Sequence, residues 1–152
     1  MSTPAMRSDA QDVYRRYLSS VMLHGLASAK ACGLGASDLY VLNILELAGA
    51  MTPGEIVTRT GLTTGPTTRL IDRLEAAGYV RRVPAPDDRR KVIVEPVGKP
   101  AALDETMAPA RRRVGDLMRG YTPEQLAVLF DYFERATDAY QEANDELRAA
   151  ED

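Results

Sequence analysis

Between Gly61 and Gly78 apolar residues recur at helical spacing, and directly after Gly78 the spacing changes to alternation. Thr63 is placed to cap a helix running to about Ala77, with Leu70, Ile71 and Leu74 on one face and Thr67 at the edge of that stripe. Thr64, Gly65, Thr68, Arg69, Asp72 and Arg73 fall on the other side. Tyr79–Val83 and Lys91–Val94 then read as short strands around a turn, Pro84-Ala85-Pro86-Asp87-Asp88-Arg89-Arg90. A one-sided helix followed at once by a hairpin with a charged tip is the strongest constraint on the fold.

The flanking segments read as helices. Val13, Tyr14, Tyr17, Leu18, Val21, Met22 and Leu26 line one face of a helix over Asp9–Lys30, which ends near Gly33-Leu34-Gly35. Ser37 or Asp38 is expected to cap a second helix that buries Leu39, Leu42, Ile44, Leu45 and Leu47. Thr52-Pro53-Gly54-Glu55 has the form of a capping box, and Gly61 stops that helix within about two turns, after which Leu62 re-enters the core. The chain reads helical again from Lys99, with Pro109 expected to kink or break the segment. Thr122-Pro123-Glu124-Gln125 is a second capping box, opening a final helix with a stripe of Leu126, Leu129, Phe130, Phe133, Thr137 and Tyr140.

Charge is partitioned along the 152 residues. The net charge is −3, yet Glu55–Lys91 holds eight basic and five acidic residues, against 11 basic and 17 acidic elsewhere. The asymmetry points to an anionic partner for the middle of the chain. One cysteine, Cys32, excludes an intramolecular disulfide. No stretch has the ~20 apolar residues of a membrane-spanning helix, and Met1–Gln11 lacks an apolar signal core. A cytoplasmic protein without membrane association is the expectation.

A short helix, a glycine-containing turn and a second helix with a polar outer face form a helix-turn-helix signature. Thr64, Gly65, Thr68 and Arg69 on that outer face suit the major groove, where threonine meets base edges or methyl groups and arginine grips guanine. The alternative is a solvated helix face. Paired Arg89 and Arg90 at the hairpin tip suit the backbone and minor groove, with a neighbouring aspartate orienting an arginine by an ion pair. The alternative there is a self-neutralised surface turn.

The run Gly61–Val80 resembles the recognition-helix segment of MarR-type regulators, and Asp87-Asp88-Arg89-Arg90-Lys91-Val92-Ile93-Val94 is similar to that family's wing. Pro66 and Pro96-Val97 depart from the family pattern. The resemblance implies a mainly α fold with a small β-hairpin: a winged helix-turn-helix domain plus N- and C-terminal dimerisation helices. A single domain would cover 1–152, with the DNA-binding lobe at 36–97 and dimerisation helices at 9–35 and 98–148. It implies Thr63, Thr64, Gly65, Thr67, Thr68, Arg69 and Arg73 as recognition-helix contacts, and Asp88, Arg89 and Arg90 as wing contacts. The expected protein is a homodimeric repressor reading a pseudo-palindromic operator in double-stranded DNA, tuned by a small-molecule effector.

Other residues carry less. His24 is the only histidine, so no histidine cluster can hold a metal, and it reads as a surface or interface residue. Cys32 has no second cysteine to resolve it, and Tyr14, Tyr17, Tyr40, Tyr121, Tyr132 and Tyr140 read as packing residues. Arg111-Arg112-Arg113 reads as a solvated or salt-bridged run. No catalytic set, metal site or cofactor is expected. The rival reading is a winged-helix protein–protein module that never binds DNA.

Overall fold

The computed structural model describes residues 7–98 and 101–150. Their order is α1 (Ala10–Ala31), α2 (Ala36–Ala48), α3 (Pro53–Thr60), α4 (Thr64–Ala76), β1 (Val80–Pro84), β2 (Val92–Pro96), α5 (Ala101–Met118) and α6 (Pro123–Ala149). The chain divides after Thr106 into two units. The first contains α1 to β2 and the opening of α5.

The first unit has one core. Val41, Leu42 and Leu45 of α2, Ile56 of α3, Leu70, Ile71 and Leu74 of α4, and Tyr79, Val80 and Val94 of the hairpin are all buried. Each large apolar side chain so placed contributes roughly 1.5–3 kcal/mol of transfer free energy. Helix α4 contacts α2, α3 and β1, and β2 contacts α2 and α3. β1 and β2 pair antiparallel with Arg82 opposite Val94. Met51, between α2 and α3, adds a backbone bridge to Val94, donating at 3.1 Å and accepting at 2.8 Å.

Helix boundaries follow local chemistry. The Glu55 amide donates to Thr52 Oγ1 at 3.2 Å while the Thr52 amide donates to Glu55 Oε2 at 2.6 Å, the reciprocal box expected there. Gln125 and Thr122 make the same pair of bonds at 3.3 and 2.9 Å. Gly61 and Gly78 take φ of +70° and +78°, a conformation that other residues rarely adopt, and so end α3 and α4. The Thr52 amide, then its hydroxyl, hold the Glu55 carboxyl below its ordinary range. Because the folded value is the lower one, this cap is at full strength above the ordinary carboxylate pKa and is lost as pH falls through the folded value.

Three expectations change. Neither Ser37 nor Asp38 is the N-cap of α2; that place is taken by Gly35, whose amide donates to Asp38 Oδ2 at 2.9 Å from within the first turn. Leu47 is 80% exposed and Val41 is buried, because the inner face of α2 runs through Asp38, Val41, Leu42 and Leu45 and Leu47 lies opposite it. Helix α5 continues through Pro109 without a break, the loss of one amide donor being absorbed within 18 residues of helix. Lys99, the expected start of that helix, lies outside the described residues.

The second unit holds the rest of α5 and all of α6, in which no residue is buried. Phe130 and Phe133 meet edge to face with ring centroids 6.1 Å apart. Two leucines two residues apart test the assigned face of α2. Leu45→Ala should cost about 2–5 kcal/mol and Leu47→Ala under about 0.5 kcal/mol in denaturant unfolding. Equal costs would mean that α2 is rotated about its axis.

Candidate nucleic-acid interface

The turn between α3 and α4 is fixed by Thr60. Its hydroxyl donates to the Ile56 carbonyl at 2.8 Å and accepts from the Leu62 amide at 3.2 Å. Leu62 is half-buried, as the turn needs if α4 is to leave at an angle. Thr60 is absent from the sequence-based site; a hydroxyl just before a helix-ending glycine is the signal that marks it.

Thr63 takes the N-cap position of α4 with extended backbone, but its side chain makes no capping bond. The cause is in the sequence. A cap oxygen accepts from the second or third helical amide, and the third residue here is Pro66, which has none. The first-turn amides of Thr64 and Gly65 have no helical partner, as in any helix, and Thr63 does not cap them. Thr64, Gly65, Thr68 and Arg69 are all exposed. Thr68 Oγ1 donates to the Thr64 carbonyl at 2.9 Å. Its proton is thereby committed, so the side chain offers lone pairs and a methyl group.

Thr67 and Arg73 sit differently from the expectation. Thr67 is 1% exposed, on the inner face with Leu70, Ile71 and Leu74, and its hydroxyl is buried without a partner. A side chain so enclosed cannot reach a base edge, and its role is packing. Arg73 Nη2 donates to Asp38 Oδ1 at 2.7 Å, and Asp38 is only 3% exposed. Arg73 therefore ties α4 to the start of α2 while more than half of its side chain stays in solvent. Asp38 does more than close the first turn of α2, since its second oxygen is what recruits Arg73.

The hairpin extends past its strands, with the Ala85 amide donating to the Lys91 carbonyl at 2.8 Å. The expected pairing of Asp88 with an arginine side chain is not what forms. Instead Asp88 Oδ1 accepts from the Arg90 backbone amide at 3.0 Å, so it shapes the turn rather than aiming a guanidinium. Arg89 and Arg90 are exposed at the tip, and among the described residues neither they nor Arg69 enter an ion pair. At the base of the hairpin Arg81 pairs with Glu95 across the strands, and Arg82 reaches Asp72 and Glu75 of α4.

Residues set aside from this surface also have partners. Cys32 is half-buried at the end of α1, its Sγ 3.6 Å from Thr106 Oγ1. Burial first, and Cys32 second, push the Tyr79 phenol above its ordinary pKa. His24 Nε2 lies 3.4 Å from the hydroxyl of buried Ser28.

Comparison with known proteins places this geometry. The family model described as MarR family matches residues 33–91. The HTH-type transcriptional regulator YcgE of Bacillus subtilis is 38% identical over 153 aligned residues, spanning 97% of this chain and 99% of its own. The HTH-type transcriptional repressor NicR of Pseudomonas putida is 33% identical over 66% of each chain. Among solved structures, the transcriptional regulator Tm0710 of Thermotoga maritima superposes with a TM-score of 0.63 at 22% identity, over 90% of this chain and 96% of that one, a likeness of fold. A polar helix face beside an arginine-tipped hairpin, together with these relatives, shows that the chain belongs to the MarR family of DNA-binding helix-turn-helix transcriptional regulators.

Proposed function

We propose that this regulator is a homodimeric, cytoplasmic repressor that reads a pseudo-palindromic operator, acts by binding rather than by turnover, and is tuned by a small-molecule effector. One observation carries the reading. The exposed start of α4, with Thr64, Gly65, Thr68 and Arg69, belongs to the same unit as a hairpin whose tip carries Arg89 and Arg90. A helix start offering free amides, small hydroxyls and one guanidinium suits the major groove, and arginines on a protruding tip suit the minor groove and phosphates. Arg73 stands beside this surface as a buttress with a solvent-facing guanidinium suited to phosphate.

Dimerisation is supported by apolar surface. Helix α1 exposes Tyr17, Val21, Met22 and Leu23, and α6 exposes Val128, Phe130 and Tyr140. Surface of this kind is covered when two copies associate about a two-fold axis. A lobe of 36–97 carried by dimerising helices over 9–35 and 98–148 is the organisation that follows. Half-sites would then lie about one helical turn apart. An effector would act by favouring a spacing of the two recognition helices that misses successive grooves.

Gly65 supports the placement of α4. A Cβ added there meets nothing within 4 Å, and its φ is not in the left-handed region, so the fold does not require glycine. A flush surface at this point favours close approach of DNA backbone or bases.

Light scattering at micromolar concentration should report a dimer; a monomer that still binds DNA tightly would refute the assembly. Gly65→Ala should keep or raise thermal stability, by up to about 1 kcal/mol, while weakening operator binding. Unchanged binding would remove α4 from the interface. Arg69→Ala should cost roughly 1–3 kcal/mol and relax preference at one symmetric pair of positions. Arg90→Ala should weaken operator and scrambled duplexes more evenly, lowering the log–log salt slope by about 0.9 for each phosphate that is no longer neutralised. Titrations of both variants at several salt concentrations decide between these roles, and salt-independent binding of a protein partner alone would favour the rival module.

A further inference from the structure

Arg82 joins the hairpin to the recognition helix. It lies in the middle of β1, opposite Val94. Its Nη2 donates to Asp72 Oδ1 at 2.6 Å, its Nη1 donates to Glu75 Oε2, and its backbone amide donates to Glu75 Oε1 at 3.3 Å. Asp72 and Glu75 stand one turn apart on α4 and so present both carboxylates to one guanidinium. The Arg82 side chain is largely withdrawn from solvent, unlike that of Arg81, its neighbour on the strand. A two-carboxylate fork that also holds the backbone is far more restrictive than an exposed ion pair. The other edge of the hairpin is fixed separately, by the two backbone bonds between Met51 and Val94.

We infer that the Arg82–Asp72–Glu75 clamp is a positioning device that sets the angle of the wing relative to the recognition helix, so that Arg90 and Arg69 engage one duplex together. The inference rests on the reading that α4 and the wing both contact DNA. Leverage makes the clamp consequential. Paired, extended chain runs from Arg82 to Ala85, about 10 Å at ~3.3 Å per residue, and the turn that carries Arg89 and Arg90 lies beyond it. A swing of about 15° at the clamp therefore moves the end of the paired strands by about 3 Å and the tip by more, against a minor groove ~6 Å wide. Without the clamp the hairpin is held at its base by the Met51 bridge and by the packing of Val80 and Val94, while among the described residues no side-chain tie links β1 to the outer side of α4. With the clamp closed, the wing contact is an intramolecular second event that follows helix docking at high effective concentration; with the clamp open, that gain disappears.

A double-mutant cycle tests this, using a duplex enriched by the native protein from a random-sequence pool. Native protein, Arg82→Gln, Arg90→Ala and the double variant are titrated at several salt concentrations, at a temperature where circular dichroism shows each to be folded. Arg90→Ala and Arg82→Gln should each weaken binding about tenfold and flatten the salt slope alike, and the double variant should bind no more weakly than the weaker single one. Arg82→Lys, which keeps the charge but not the fork, should fall between native and Arg82→Gln. If Arg82→Gln does not fold, Glu75→Gln takes its place in the same cycle. Native-like binding by the clamp variant, or effects that multiply, would overturn the inference while leaving the wing contact standing. Native-like binding by Arg90→Ala would overturn the wing contact itself, and the clamp's role with it.

Discussion

Leu70, Ile71 and Leu74 take one face of α4 out of water against α2, α3 and β1, and the other elements of the first unit are placed by that contact. Thr67 extends the buried face by one more turn, at the cost of a hydroxyl without a partner. Side-chain ties then fix the helix against rotation. Arg73 anchors it to Asp38 at the start of α2, and Asp72 with Glu75 anchors it to Arg82 of β1. A helix held this way has only one side left to offer, and its exposed beginning is that side. The candidate interface is what remains of α4 after packing has claimed the rest.

The electrostatic picture follows from the same ties. Counted along the chain, Glu55–Lys91 carries a modest positive excess. In the folded unit Arg73, Arg81 and Arg82 are engaged by carboxylates, so their charge is largely neutralised where it stands. Arg69, Arg89 and Arg90 keep theirs, two of them at the hairpin tip. Guanidinium groups outside ion pairs thus stand at two places, the start of α4 and the hairpin tip, where Asp87 and Asp88 stand beside them. A chain of net charge −3 can in this way still leave arginines outside ion pairs on one unit.

Local chemistry made most of the fold legible in the sequence. Both capping boxes and the left-handed glycines after α3 and α4 are determined by residues within a few positions of each other, so no distant partner can alter them. The candidate site was legible only in part, because side-chain engagement depends on the other elements. Arg69 and Arg73 look alike on a helical wheel, yet a buried carboxylate 35 residues upstream of Arg73 separates their roles. Thr67 is polar by type, but it stands one turn before Leu70 and Ile71 on the same face of α4 and is buried with them. Asp88 has a choice between a neighbouring guanidinium and a backbone amide, and the tight turn brings the amide closer. Leu47 shows the same limit for apolar residues: composition places it inside, and the phase of α2 leaves it in water.

Pro66 has a kinetic meaning beyond its effect on the cap of α4. In α3 and α6 the third helical amide, of Glu55 and of Gln125, is already held by Thr52 and Thr122, and an acceptor using it would have to displace that bond. At the start of α4 the Thr63 side chain holds nothing. On the proposed reading, an acceptor arriving there displaces no side-chain cap, so docking of this helix does not wait on such a bond to break. Association is then left to diffusion and charge, and discrimination between one sequence and another falls on how slowly the protein lets go.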